Sequence, residues 1–203
     1  MLINQLQWRY ATKKFDQNKS LSIDLIDQIL EAGRLAPSSF GLQPYRFFQI
    51  SQEIRIEIQQ VCFMQPQIVD APALIAIQSK TKIDQADIHK YMQLIMSERG
   101  VAKENLAAFE GMIINFIKNL GSNALFWTQK QAGISLGFML AMAAHLEVDS
   151  CPMEGFDQNK LDSILKTPSD LQTTVLLALG YRDLSDPYAS LKKVRKKKED
   201  IFF

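Results

Sequence analysis

Histidine, cysteine and tryptophan each occur only twice in this 203-residue chain. His89 and His145 stand in no HxxxH-like spacing, so no metal site is expected. Cys62 and Cys151 are too few for a disulfide framework and lack metal-ligand spacing, which points to a reducing compartment and to core thiols. Trp8 and Trp127 read as packing residues. The formal net charge is only +1, so the overall field gives no reason to expect nucleic acid. Long apolar runs are missing too. The longest, Ala132 to Leu146, is short of the roughly 20 residues a membrane span needs, so no membrane partner is expected. No basic stretch followed by an apolar one opens the chain, so no secretory signal is read and a cytoplasmic location is expected. There is no GxSxG elbow, no Walker A run and no GxGxxG after a strand. Those absences argue against an α/β-hydrolase, a P-loop enzyme and a Rossmann dinucleotide site.

What is present is a chain that is 47% hydrophobic and 22% charged, read as a single domain over residues 1–203. Charge is uneven. Residues 191–203 hold six Lys/Arg against two Asp/Glu, net +4, which leaves net −3 on the rest. This basic tail is either a solvated end or a source of cations for an anionic ligand. Apolar spacing predicts a helix opened by Ser22 with Leu25, Ile26, Ile29 and Leu30 as its stripe, ended by Pro37. Strands are expected at Tyr45–Ile50, Ala73–Gln78 and Thr173–Leu179, the last stopped by Gly180. Cys151–Met153 reads as a turn or short strand, and Pro66 and Pro72 bracket a turn. Further helices are expected at Glu53–Cys62, Tyr91–Met96, Leu106–Ile117, Ala124–His145 and Phe156–Leu165. Helices and strands interleave, so the expected class is α+β, a central sheet covered by helices on both faces. Gly133 and Gly137 share a face of the long helix. That face is either core or the spine of a two-fold dimer.

Several short segments carry chemistry. Arg9 and Lys13 are four apart, sharing a face if the segment turns helically, and both suit a phosphate. Read alone, they are equally a pair of surface charges. Pro37–Ser38–Ser39 with Gly41, Gln43 and Pro44 offers two hydroxyls and an amide in a shaped turn, groups that read a flat heterocycle well. The plain alternative is a capped Ser/Gly turn. Gln65 and Gln67 place amides beside Pro66. Pro152–Met153–Glu154–Gly155 brings a carboxylate and a glycine, although Glu154 is also a candidate cap for the helix near Phe156.

Taken in order along the chain, these segments resemble the flavin-dependent nitroreductase family. Arg9–Tyr10–Ala11–Thr12–Lys13 with Phe15 is similar to its N-terminal Arg-x-Ser-x-Arg/Lys-x-Phe segment. Pro37–Ser38–Ser39 with Gln43–Pro44 is similar to Pro-Ser-Ser-x-x-x-Gln-Pro-Trp, and Pro152–Phe156 to Pro-x-Glu-Gly-Phe. Gly180–Tyr181–Arg182 resembles the triplet closing the last core strand, and Lys193 and Arg195 fall where that family supplies cations to the flavin phosphate. The resemblance implies a three-layer α/β/α sandwich around a mostly antiparallel mixed sheet. It further implies an intertwined homodimer with FMN at the interface and residues 183–203 reaching over the partner. FMN would be held by Arg9, Tyr10, Ala11, Lys13, Pro37, Ser38, Ser39, Gly41, Gln43, Gln65, Gln67, Pro152, Met153, Glu154, Gly155, Lys193 and Arg195. Gln65 and Gln67 would act from across the interface. Lys13 and Glu154 would have electrostatic or orienting roles in catalysis. NADH or NADPH would pass hydride to the flavin N5, and a nitroaromatic, quinone or related small acceptor would then take it in a ping-pong cycle. Ala11 for Ser, Gly41 for Asn, Tyr45 for Trp and the Gln65/Gln67 pair depart from the family pattern and bear on substrate choice. A flavin-binding or redox-sensing protein with weak turnover, and a helical interaction module without cofactor, remain as rival readings.

Overall fold

Strict two-residue alternation along the central strands dictates the architecture. The structure, a computed structural model, describes residues 1–202. Its four strands are β1 (Tyr45–Gln49), β2 (Ala73–Lys80), β3 (Asp149–Met153) and β4 (Leu171–Gly180). They form one sheet in the order β1-β2-β4-β3, with every pair antiparallel. The parallel component is a single bridge between Ala11 and Ser150.

The described helices are α1 (Leu2–Trp8), α2 (Ile23–Arg34), α3 (Arg55–Val61), α4 (Gln67–Asp70), α5 (Gln85–Arg99), α6 (Ala107–Leu120), α7 (Ala124–His145) and α8 (Gln158–Ile164). On one face of the sheet, Leu74, Ala76, Leu176 and Ala178 pack with Ile58 of α3, Ile68 of α4 and Leu161 of α8. On the other, Ala73, Ile75, Ile77, Val175, Leu177 and Leu179 pack with Ile29 of α2 and Ala132, Met139 and Ala143 of α7. Side chains of neighbouring strand residues point to opposite faces, so one apolar run feeds both layers. Each fully buried Leu or Ile contributes about 1.5–3 kcal/mol. This is the expected three-layer sandwich. A satellite core lies outside it, where Ile88, Met92 and Ile95 of α5 meet Ile113 of α6, Phe40 and Trp127.

Several elements differ from expectation. α1 precedes Arg9, and Arg9 itself is extended (φ −65°, ψ 142°), so the Arg9–Lys13 cations follow a helix and do not turn helically. Their shared face survives, because i and i+4 coincide in an extended chain as well. The Pro66–Pro72 turn contains the short α4. α5 is far longer than Tyr91–Met96, because Asp84 and Asp87 form a reciprocal capping box and Gly100 ends the helix in the left-handed region. α7 has the expected bounds, but its Gly133/Gly137 face is not core. Gln131, Ala132, Ser135, Met139 and Ala143 are buried, while Gly133, Ile134, Gly137 and Phe138 are exposed. A Cβ added at either glycine would meet nothing within 4 Å.

The segment from residue 183 braces the chain's own N-terminal part. Asp183 pairs with Lys14, and the Lys193 ammonium donates to the carbonyls of Leu6 and Arg9. No described helix is long and apolar enough to cross a membrane.

Candidate functional site

Two limbs without regular structure converge beside β3. The first, residues 9–15, is tied down by the Ala11–Ser150 and Phe15–Arg182 bridges and by the Thr12 amide donating to the Ser150 carbonyl at 3.3 Å. The second descends from Arg182 to Arg195. Between them lies a cleft of about 700 Å³ whose lining includes Arg9, Lys13, Arg182, Lys192, Lys193 and Arg195. Tyr10, Ala11 and Pro152 line it as well.

The charges in this cleft are not neutralised by their surroundings. Arg9 Nε is buried and has no hydrogen-bond partner. Burial lowers the Arg9 pKa, and the nearby Arg195 lowers it further. Lys193 is lowered in the same way, by burial first and then by Arg9 and Arg195. Like charges held together with an unused N–H define a place where an anion lowers the energy. By contrast, Arg182 is well compensated. Its Nε donates to Asp149 at 2.8 Å, and its guanidinium lies 4.3 Å from the Trp8 ring centre and 4.7 Å from that of Tyr10. Asp149 is 3% exposed, so the stack and the ion pair together fix one wall.

Lys13 links this cleft to Cys151 and Gln67, while Gln65, Gln67, Met153, Glu154 and Gly155 lie outside its lining. Lys13 Nζ reaches Cys151 Sγ at 3.9 Å, and the Gln67 amide reaches the same sulfur at 3.8 Å. Burial raises the Cys151 thiol pKa, with Lys13 acting against it. Gln65 donates to the Gly155 carbonyl at 2.8 Å. The resemblance places Gln65 and Gln67 across an interface, whereas the structure sets both against residues of their own chain, since α4 packs on the face that carries β3. The Met153 side chain turns into the core. Glu154 is exposed, and Asp157, not Glu154, caps α8.

Pro37, Ser38, Ser39, Gly41 and Gln43 are elsewhere. They lead into β1, the opposite edge of the sheet, at the end where Tyr45 pairs with Ser79. The Arg9 limb lies where β4 ends at Gly180 and β3 begins at Asp149. Three inter-strand steps, roughly 14 Å, separate the two edges. The turn is tied within itself and to α2 and α7. Gln43 N–H donates to Ser38 Oγ at 2.9 Å, Ser39 N–H to Gln131 Oε1 at 2.8 Å, and the Gln43 amide to the Arg34 carbonyl at 2.5 Å. Gly41 is at φ +80°, and a Cβ there would sit 2.2 Å from the Tyr91 hydroxyl. One chain therefore does not unite all the expected site residues.

Sequence reasoning missed Trp8, Asp149, Arg182 and Asp186 as parts of the site. The Gly180–Tyr181–Arg182 triplet was the available signal for Arg182; the others had none. No cluster of three His, Cys, Asp or Glu able to hold a metal exists among the described residues.

Comparison with known proteins identifies the family and the fold. The sequence profile of the family described as "Nitroreductase family" matches residues 6–181. A Staphylococcus haemolyticus protein provisionally named as an NAD(P)H nitroreductase is 34% identical over 212 residues, covering 98% of this chain and 95% of that protein. A Bacillus subtilis crystal structure, likewise provisionally titled a nitroreductase, superposes with a TM-score of 0.88 at 17% identity, covering 98% and 96% of the two chains. Another, from Exiguobacterium sibiricum and in complex with FMN, has a TM-score of 0.82 at 23% identity, covering 99% and 95%.

Proposed function

The chain belongs to the nitroreductase family, and on that premise we propose that it is an FMN-dependent oxidoreductase that carries reducing equivalents from NADH or NADPH to a small nitroaromatic, quinone or related acceptor. The observation that carries the reading is Arg9, a half-buried guanidinium with an unpartnered Nε beside Arg195 and Lys193. That donor set fits a doubly charged phosphate monoester, and the FMN-bound neighbour supports the choice of ligand. The relative's name supports the donor.

Arg9, Lys193 and Arg195 would hold the phosphate. When bound, FMN supplies the redox chemistry, accepting hydride from the nicotinamide and delivering it to the acceptor in alternating half-reactions. Lys13 brings the positive charge that favours extra negative charge on the ring. Gln65 fixes the Gly155 carbonyl, and the main chain of Glu154 and Gly155 would lie against the ring. No side-chain acid or base is needed, because solvent can supply protons.

The Pro37–Gln43 turn would enter the site of a second copy. The exposed Gly133, Ile134, Gly137 and Phe138 face of α7 supports a two-fold homodimer built on that helix. The Lys196–Lys198 run, beyond the braced part of the tail, is what remains to reach over the partner.

The test is an absorption spectrum of the purified protein with and without added FMN, then with anaerobic NADH and NADPH. Flavin bands near one per chain that bleach with either nucleotide support the reading and identify the donor. Bleaching without turnover of an added quinone reduces the protein to a flavin-binding role. No flavin uptake sinks the cofactor assignment.

A further inference from the structure

The two limbs that carry the cations have no helix or sheet ladder to hold them together. Besides the Phe15–Arg182 bridge, the Lys14–Asp183 pair and the Lys193 bonds to the Leu6 and Arg9 carbonyls, one buried carboxylate gathers donors from both. Asp186 is 3% exposed. Its Oδ2 accepts from the Tyr10 hydroxyl at 2.8 Å, the Lys13 amide at 2.8 Å and the Lys14 amide at 3.2 Å. Its Oδ1 accepts from the Tyr188 amide at 2.9 Å. An ionised carboxylate is an acceptor only, so it suits four converging donors. Burial by itself would raise the Asp186 pKa, but the bonds from Tyr188, Lys13, Tyr10 and Lys14 outweigh it and hold the group below the usual carboxylate value.

We propose that Asp186 is the positioning residue that sets this site's preference for a phosphorylated over a dephosphorylated flavin. It clasps the limb bearing Arg9 and Lys13 to the limb bearing Lys193 and Arg195. The inference rests on the FMN reading above. Asp186 touches no ligand in this scheme; it acts through the backbone of Lys13 and Lys14 and through the Tyr10 ring, whose other neighbour is Arg182.

Charge alone predicts the reverse of the clasp. Asp186→Asn removes a negative charge near an anion site, which would tighten phosphate binding. The clasp predicts weakening, because the Asn amide nitrogen is a donor facing donors, so one of the two limbs loses its acceptor.

The experiment is a fluorescence titration of apoprotein with FMN and with riboflavin, for the wild type, Asp186→Asn and Tyr10→Phe. Asp186→Asn is expected to weaken FMN about tenfold or more while leaving riboflavin within about twofold. Tyr10→Phe removes one of the four donors and should lower the FMN-to-riboflavin preference by a smaller factor, about threefold. FMN affinity that is unchanged or tighter in Asp186→Asn overturns the proposal, as does a parallel loss of both flavins, the mark of general loosening. If Asp186→Asn does not fold, Tyr10→Phe decides by the same ratio, and an unchanged ratio overturns the clasp. If the wild type takes no FMN, the flavin reading fails by itself, and calorimetry with inorganic phosphate then decides the clasp. Weaker phosphate binding in Asp186→Asn or, if that variant does not fold, in Tyr10→Phe upholds it. Equal binding, or none by the wild type, overturns it.

Discussion

The corner of the sheet at β3 and the corner at β1 carry the two halves of the candidate site, and they fail to be complete in opposite ways. At β3 the main chain is well tied and the charge is not. Burial lowers Arg9 and Lys193, Arg195 lowers both further, and Arg9 Nε has no partner. At β1 the Ser38 hydroxyl, the Ser39 amide and the Gln43 side chain are engaged within the turn or by α2 and α7. The pocket beside that corner is lined by Arg46, Lys80 and Lys90 together with Asp87, and Lys80 is paired with Asp87 and Asp170. One half calls for an anion and the other for a flat face to cover. They lie on opposite edges of the sheet and do not meet within one chain; in the proposed dimer they would meet between two copies.

The comparison breaks most completely if the second copy is dispensable. Replacing both Gly133 and Gly137 by Leu fills the exposed face of α7, where a Cβ built at either glycine meets nothing within 4 Å. Helix propensity alone would make the monomer slightly more stable, by about 0.5–1 kcal/mol per site. Light scattering should nevertheless show the dimer lost, and bound flavin should fall to near zero. A dimer with full flavin content would break the comparison.

Arg9→Ala tests the β3 corner alone. FMN affinity should weaken roughly 10- to 100-fold. The apoprotein should not lose thermal stability, because the substitution removes a cation that is lowered by burial and by Arg195. A large drop in apoprotein melting temperature would mean that Arg9 is a structural residue.

Gly41→Ala tests the β1 corner. The position needs φ +80°, and the new methyl would meet the Tyr91 hydroxyl. A loss of about 1–3 kcal/mol is expected in denaturant unfolding. Tyr91→Phe in the same chain should recover part of it by removing the clashing oxygen. No recovery would place the cost in the backbone alone.

The smallest effect concerns the thiols. Burial pushes Cys62 up to about 11, while an unfolded cysteine titrates near about 8.5. The folded state therefore keeps the proton longer, and this contribution to stability is whole below about pH 8.5 and fades as pH climbs toward the folded value. Both cysteines are buried. A disulfide reagent at pH 8 should find them silent in the native protein and reactive in denaturant. Fast native labelling would contradict their burial.

How much of this was legible in the sequence depended on whether the signal was local. Ala124–His145 could be bounded because its run of small and apolar residues is long, and β2 and β4 because their apolar runs end at turn-forming residues. α1 buries none of its residues and so left no apolar stripe to read. α5 hides behind a charged face and an Asp-Asp capping box. The Arg9–Lys13 pair was seen, but a spacing of four is the same face in a helix and in a strand, so its conformation was misread. The clasp was invisible for a different reason. Asp186 lies 176 residues from Tyr10, and Asp149 lies 33 from Arg182; no window of local sequence contains either pair. Motif spacing could nominate the cations at both ends of the chain, yet only the fold shows that they share one cleft and that Pro37–Gln43 does not.

Native mass spectrometry of the purified protein with FMN added tests the central claim most directly, since it counts chains and flavins together. The account predicts a species of two chains carrying two FMN, with no flavin on any single chain. A single chain that retains FMN, or a dimer that takes none, would contradict it.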